Sequence, residues 1–161
     1  YEITYGDWSS DVCSSDLPFY FTPWSPMMLN IHTGHGGIPK QPNRDILVLV
    51  SSFERLQQGG AEFVFTDRHA YLGMAQFFDD PARLDQINWD ILQRRDFKRD
   101  EDNPDKFAQY EAETLVRSPV PVEALLGVAC FDAAALERIN DDMAATGVDL
   151  RALVTPRFYF Q

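Results

Sequence analysis

The stretch "DILVLVSSFERLQQGGAEFVFTDRHA", Asp45 to Ala70, holds a strand, a short helix and a second strand in succession. Asp45–Ser52 is a continuous run of apolar β-type residues, which predicts a buried strand. "SFERLQQGG" predicts one or two helical turns stopped by Gly59 and Gly60. Ala61–Asp67 predicts another strand, and Arg68–Phe78 beyond it carries helical spacing. Short strands with helices between and around them place the chain in the α+β class, with a bent or split sheet.

The same mixture continues in both directions. Upstream, "PFYFT" (Pro18–Thr22) is an aromatic, strand-like run closed by Pro23. Ser25–His32 opens with a capping Ser and a Pro in the first turn, then turns apolar, which predicts a short helix. "GHGGIPKQPN" is a Gly/Pro loop. Downstream, Pro81 to about Arg95 reads as helix, followed by the polar stretch "RRDFKRDEDNPD". Helix "KFAQYEAE", strand "TLVRS", a turn at "VEAL" and strand "LLGVACFD" come next. An amphipathic helix then ends at Gly147, and β-type residues close the chain. There are no repeats and no heptads.

The totals bound the function. With 161 residues, one domain spanning 1–161 is the natural expectation. Hydrophobic residues at 45% suffice for a core. A net charge of −11 argues against broad attraction to nucleic acid but leaves room for a local basic surface. Cys13 and Cys130 lie far apart without metal-type spacing, which supports neither a zinc site nor a disulfide scaffold and fits a reducing compartment, the cytoplasm. No metal is expected. No run has the length of a transmembrane helix and no signal peptide opens the chain. The absence of an initiator Met suggests a fragment or an excised domain.

"GDWSSDVCSSDL", Gly6–Leu17, stands apart. It has no period of 2 or 3.6, and its Ser/Asp content suits a polar surface loop. Asp7–Leu17, however, reads residue for residue like the conceptual translation of a common sequencing-library adapter. On that reading it is an artefactual insert replacing lost native sequence, the domain is incomplete, and Trp8, Cys13 and the aspartates carry no function.

Few residues carry chemistry on physical grounds alone. There is no phosphate-cradling Gly loop and no zinc-type helix pair. His69 lies just past a strand, where a cap or packing role is the ordinary one. Glu113 lies where helix gives way to strand, a poor place for a carboxylate unless it faces solvent or a pocket. Met27, after Ser25-Pro26, is ordinarily core filler.

The order of the blocks says more. "PFYFTPWSPMMLNIHTG", "DILVLVSS", "FVFTDRHA", "INWDIL" and "AETLV…VP…LLGV" together resemble the DarT family of DNA ADP-ribosyltransferase toxins, from Pro18 to the final "PRFYF". "YEIT" is similar to that family's opening "YHIT". The resemblance implies an ADP-ribosyltransferase-like split or bent sheet with an NAD cleft and flanking helices. It implies transfer of ADP-ribose from NAD, as co-substrate, to a base in single-stranded DNA, with thymine the expected base and guanine the alternative. It implies a partner antitoxin with a macrodomain. Glu113 matches the catalytic glutamate, His69 the histidine after the second strand, Met27 a pocket methionine, and Ile3 and Thr4 the motif that grips the cofactor. Building of oxocarbenium-like charge on the ribose calls for such an anion nearby.

"RRDFKR" supplies Arg94, Arg95, Lys98 and Arg99 with Phe97 among them, so basic groups for phosphates and a ring for a base. "DEDNPD" cancels much of that charge, which leaves a plain solvated loop as the other reading. Two departures stand against full activity. Glu2 replaces the usual His. The family's longer segment ahead of the aromatic strand, which includes an arginine, has no counterpart, so the chain as written is expected to bind NAD poorly and turn over little. An ADP-ribosyltransferase acting on RNA or protein, or a non-catalytic nucleotide- or DNA-binding module, are the competing readings.

Overall fold

A computed structural model describes residues 16–161. Two sheets share the strands. The first runs in the order β1 (Asp16–Tyr20), β5 (Glu113–Arg117), β3 (Phe63–Thr66), β4 (Phe77–Phe78), with every pair antiparallel. The second runs β2 (Val48–Val50), β6 (Gly127–Cys130), β7 (Ala152–Val154), antiparallel then parallel. The α+β class and the split sheet are therefore as the sequence implies.

The helices begin and end where their chemistry dictates. Helix α1 (Pro26–Thr33) starts at Ser25, whose Oγ accepts from the Met28 N–H at 3.2 Å, and stops at Gly34 with φ 75°. Helix α2 (Phe53–Gln58) is capped by Ser52. Helix α5 (Ala133–Thr146) is capped by Asp132 and closed by Gly147 at φ 70°.

Three expectations fail. Arg68–Phe78 is not helical. Asp67 closes the segment as a loop instead: its backbone N–H donates to the Gln76 carbonyl, its Oδ1 accepts from the Gln76 N–H, and Phe77–Phe78 pair with β3. Pro81–Arg95 is not one helix. A 3₁₀ segment, Pro81–Gln86, gives way at Ile87, and Asn88 caps a separate helix α3 (Trp89–Arg94) through its Oδ1. Asp45–Ser52 is strand only over Val48–Val50 and is not buried: Leu47 and Leu49 are 43% and 45% exposed. Its apolar run lines a cavity rather than being covered on both faces.

The core lies behind the first sheet. Phe65, Phe78, Ile87, Ile91, Leu92, Tyr110 and Ala112 are buried together, with Phe21 and Phe53 packed against them. This packing fixes helix α4 (Lys106–Tyr110) beside α3 and so delivers the chain into β5 at Glu113.

Of the segment Asp7–Leu17, the described residues are Asp16 and Leu17, which extend β1 opposite Arg117 and Val116. A ladder is made of backbone groups and accepts nearly any side chain. Among the described residues β1 is an edge strand, a place where proline is tolerated, as at Pro18.

Candidate active site

Glu113 begins β5 and is 3% exposed. Its Oε1 lies 2.9 Å from His69 Nδ1 and accepts from the Ala70 backbone N–H at 2.9 Å. Both donors come from the first turn of the loop after β3, which His69 N–H anchors to the Ala108 carbonyl of α4. Thr66 Oγ1 locks the backbone below, donating to the Glu113 carbonyl at 3.2 Å. The carboxylate is thus fixed through one oxygen, while Oε2 makes no hydrogen bond among the described residues. The second oxygen of this buried carboxylate thus keeps its acceptor capacity unused among the described residues.

Tyr20 faces Glu113 across the β1–β5 ladder. Burial, with Glu113 and Glu111 adding negative charge beside it, pushes its phenol up to about 12. Glu111 is raised as well, by burial first and by Glu113, against the opposing pull of His69. Tyr20 is therefore a neutral O–H donor at the same spot. Sequence reading missed it, because a tyrosine in an aromatic run looks like core; only strand register aligns it with Glu113.

A cavity of about 620 Å³ opens between the sheets. Tyr20, Met27, Val48, Phe53, Trp89 and Thr114 are among its walls. That volume falls in the range of small-molecule and cofactor pockets, and the walls are mainly apolar. Met27 lines it and is 51% exposed. The cavity reaches Tyr20 and Thr114, the ladder partner and chain neighbour of Glu113, but does not include Glu113 or His69.

The basic run is divided. Phe97 is half-buried: it stacks on Tyr110 at 4.7 Å and meets Phe160 edge-on. Lys98 gives its carbonyl to the buried Lys106 Nζ, which also binds Asp96 at 2.7 Å. Arg94 and Arg99 are exposed, and Arg95 lies over the Trp24 ring. Ile3, Thr4 and Glu2 lie outside the described residues. Among the described residues no group of metal-ligating side chains occurs, and no helix is long and apolar enough to cross a membrane.

A split sheet around a cavity, with a buried glutamate at the head of a central strand, defines the ADP-ribosyltransferase class of fold. Residues 15–160 match the family model described as "ssDNA thymidine ADP-ribosyltransferase, DarT", and the chain belongs to the DarT family. A DNA ADP-ribosyl transferase of Escherichia coli O127:H6 is 48% identical over 115 residues, 71% of this chain and 53% of that protein. The Thermus sp. 2.9 DarT in complex with carba-NAD+ superimposes with a TM-score of 0.80 at 28% identity, covering 91% of this chain and 74% of that one. The same enzyme in complex with ADP-ribosylated ssDNA also gives 0.80. The chain spans about half the length of the curated relatives it matches.

Proposed function

We propose that the protein to which this chain belongs transfers ADP-ribose from NAD to a base of single-stranded DNA, thymine in preference to guanine. The observation that carries the reading is Glu113, buried at 3% exposure and held through one oxygen by His69 and Ala70. Glu113 Oε2 accepts from a ribose hydroxyl of NAD, and its charge steadies the sugar as cationic character grows there. The C1′–nitrogen bond to nicotinamide breaks with its electron pair going to the pyridine. A ring nitrogen of the base bonds to C1′ as its proton passes to the Glu113 carboxylate. Tyr20 donates its O–H toward the cavity, and Met27 closes the apolar wall that excludes water. A base reaches such a site only when unstacked, which favours single strands.

Family membership supports a toxin whose mark a partner macrodomain removes. Ile3 and Thr4 are proposed to grip NAD, and the arginine-bearing segment replaced at Asp7–Leu17 to complete the site. The test uses the enzyme with that segment restored from the intact gene, labelled NAD, and thymidine-containing DNA, RNA and protein acceptors. Labelled DNA is expected, with Glu113→Gln slower by roughly a hundredfold or more. Label on RNA or protein alone, or full activity in Glu113→Gln, overturns the reading.

A further inference from the structure

Arg95 is the one non-glycine residue with positive φ among the described residues, at φ 52° and ψ 30°. Side chains with a Cβ rarely adopt that region. Here the turn ends α3 and brings the guanidinium over the Trp24 ring, 3.0 Å from its centroid. Trp24 is itself fixed: its Nε1–H donates to the Arg157 carbonyl at 3.2 Å, although 133 residues separate the two. The assembly borders the cavity, since Pro23, Ser25, Met27 and Phe158, flanking Trp24 and Arg157 in the chain, all line it.

The charge there is unbalanced. Neither Arg95 nor Arg157 has a carboxylate within ion-pair reach among the described residues. The nearest acid in sequence, Asp96, is taken by Lys106. In a chain of net charge −11, Arg95 over Trp24 and Arg157, whose guanidinium stands over the Phe158 ring, are exposed cations without an ion-pair partner among the described residues.

We infer that Trp24, Arg95 and Arg157 form the surface that holds the phosphate backbone of single-stranded DNA as it enters the cleft. The inference rests on the reading of the protein as a DNA ADP-ribosyltransferase. Arg95 presents a planar fork that suits a phosphate in two-point contact. Trp24 acts as the clamp that fixes the fork beforehand, so little side-chain freedom is lost on binding. Phe97, half-buried against Tyr110, is not assigned to it.

The experiment measures anisotropy of fluorescein-labelled oligothymidylate with the enzyme restored from the intact gene, as parent, between about 50 and 200 mM salt. Arg95→Gly keeps the left-handed turn, because glycine adopts it freely, and removes the cation. It is expected to bind roughly tenfold more weakly, with a salt slope shallower by about 0.7, the share of one neutralised phosphate on a single strand. Arg157→Gln should behave alike. Arg95→Lys, which keeps the charge without the fork, should recover only part of the loss. Arg151→Gln changes net charge equally away from this surface and should bind as the parent does. Parent-like binding and slope in both Arg95→Gly and Arg157→Gln overturn the inference alone. An equal loss of NAD affinity by calorimetry also overturns it, assigning the arginines to the co-substrate's diphosphate. A parent chain that binds no oligonucleotide overturns it together with the reading beneath it.

Discussion

Glu113 takes both of its fixing hydrogen bonds from adjacent residues of one turn, an imidazole and a backbone N–H. The backbone donor survives any substitution at position 69. His69→Ala should therefore leave the fold intact while loosening the carboxylate. A loosened reacting group costs rate by misplacement, about a hundredfold. Steady-state kinetics of the restored enzyme should show that loss in kcat with little change in KM for NAD; a rise in KM alone would make His69 a binding group. Tyr20 offers a second check. Its folded phenol titrates near 12, above the ordinary value of about 10. A group raised in this way adds stability below pH 10 that is lost as pH climbs toward 12. Urea unfolding across that window should show the decline, and Tyr20→Phe should lessen it, leaving the share of Tyr159, which burial likewise pushes up to about 12. The sequence exposed Glu113 because a carboxylate at a strand start is out of place. It could not expose Tyr20 or the Ala70 N–H, since both depend on which strands pair and in what register.

At the scale of elements, local signals succeeded wherever a cap or breaker fixed the boundary. Ser25, Pro26 and Gly34 delimit α1, and Asp132 and Gly147 delimit α5. They failed where apolar spacing was the sole guide. Arg68–Phe78 repeats its apolar residues at helical intervals, yet Tyr71 and Met74 are each 68% exposed. The hydrogen bonds of Asp67 outweigh the spacing. Asp45–Ser52 is apolar because it walls a cavity, a cause that sequence alone cannot separate from burial. One contact between strands is tight enough to test. A Cβ on Gly127 would stand 2.5 Å from the Arg151 carbonyl oxygen, where β7 approaches β6. Backbone cannot yield there without parting the strands, so Gly127→Ala should destabilise the fold by about 1–3 kcal/mol. Equilibrium urea unfolding would register it as a lower midpoint with an unchanged slope.

For the molecule as a whole, the expected outcome is a folded protein with an impaired cleft. Among the described residues, the core that supports Glu113 draws on side chains from Phe19 to Ala124. The 161-residue chain should therefore melt cooperatively yet label DNA far less than the protein restored from the intact gene. Equal labelling by the two would remove any catalytic role for the missing arginine. β1 lies at the margin of its sheet, and β5 keeps β3 as a neighbour whatever precedes the aromatic run. If Asp7–Leu17 is an insert, a junction at that margin is a fault that quality control by solubility or heat would pass. Such proteins would accumulate in collections as well-behaved, silent members of their family, and only an assay of turnover would find them out.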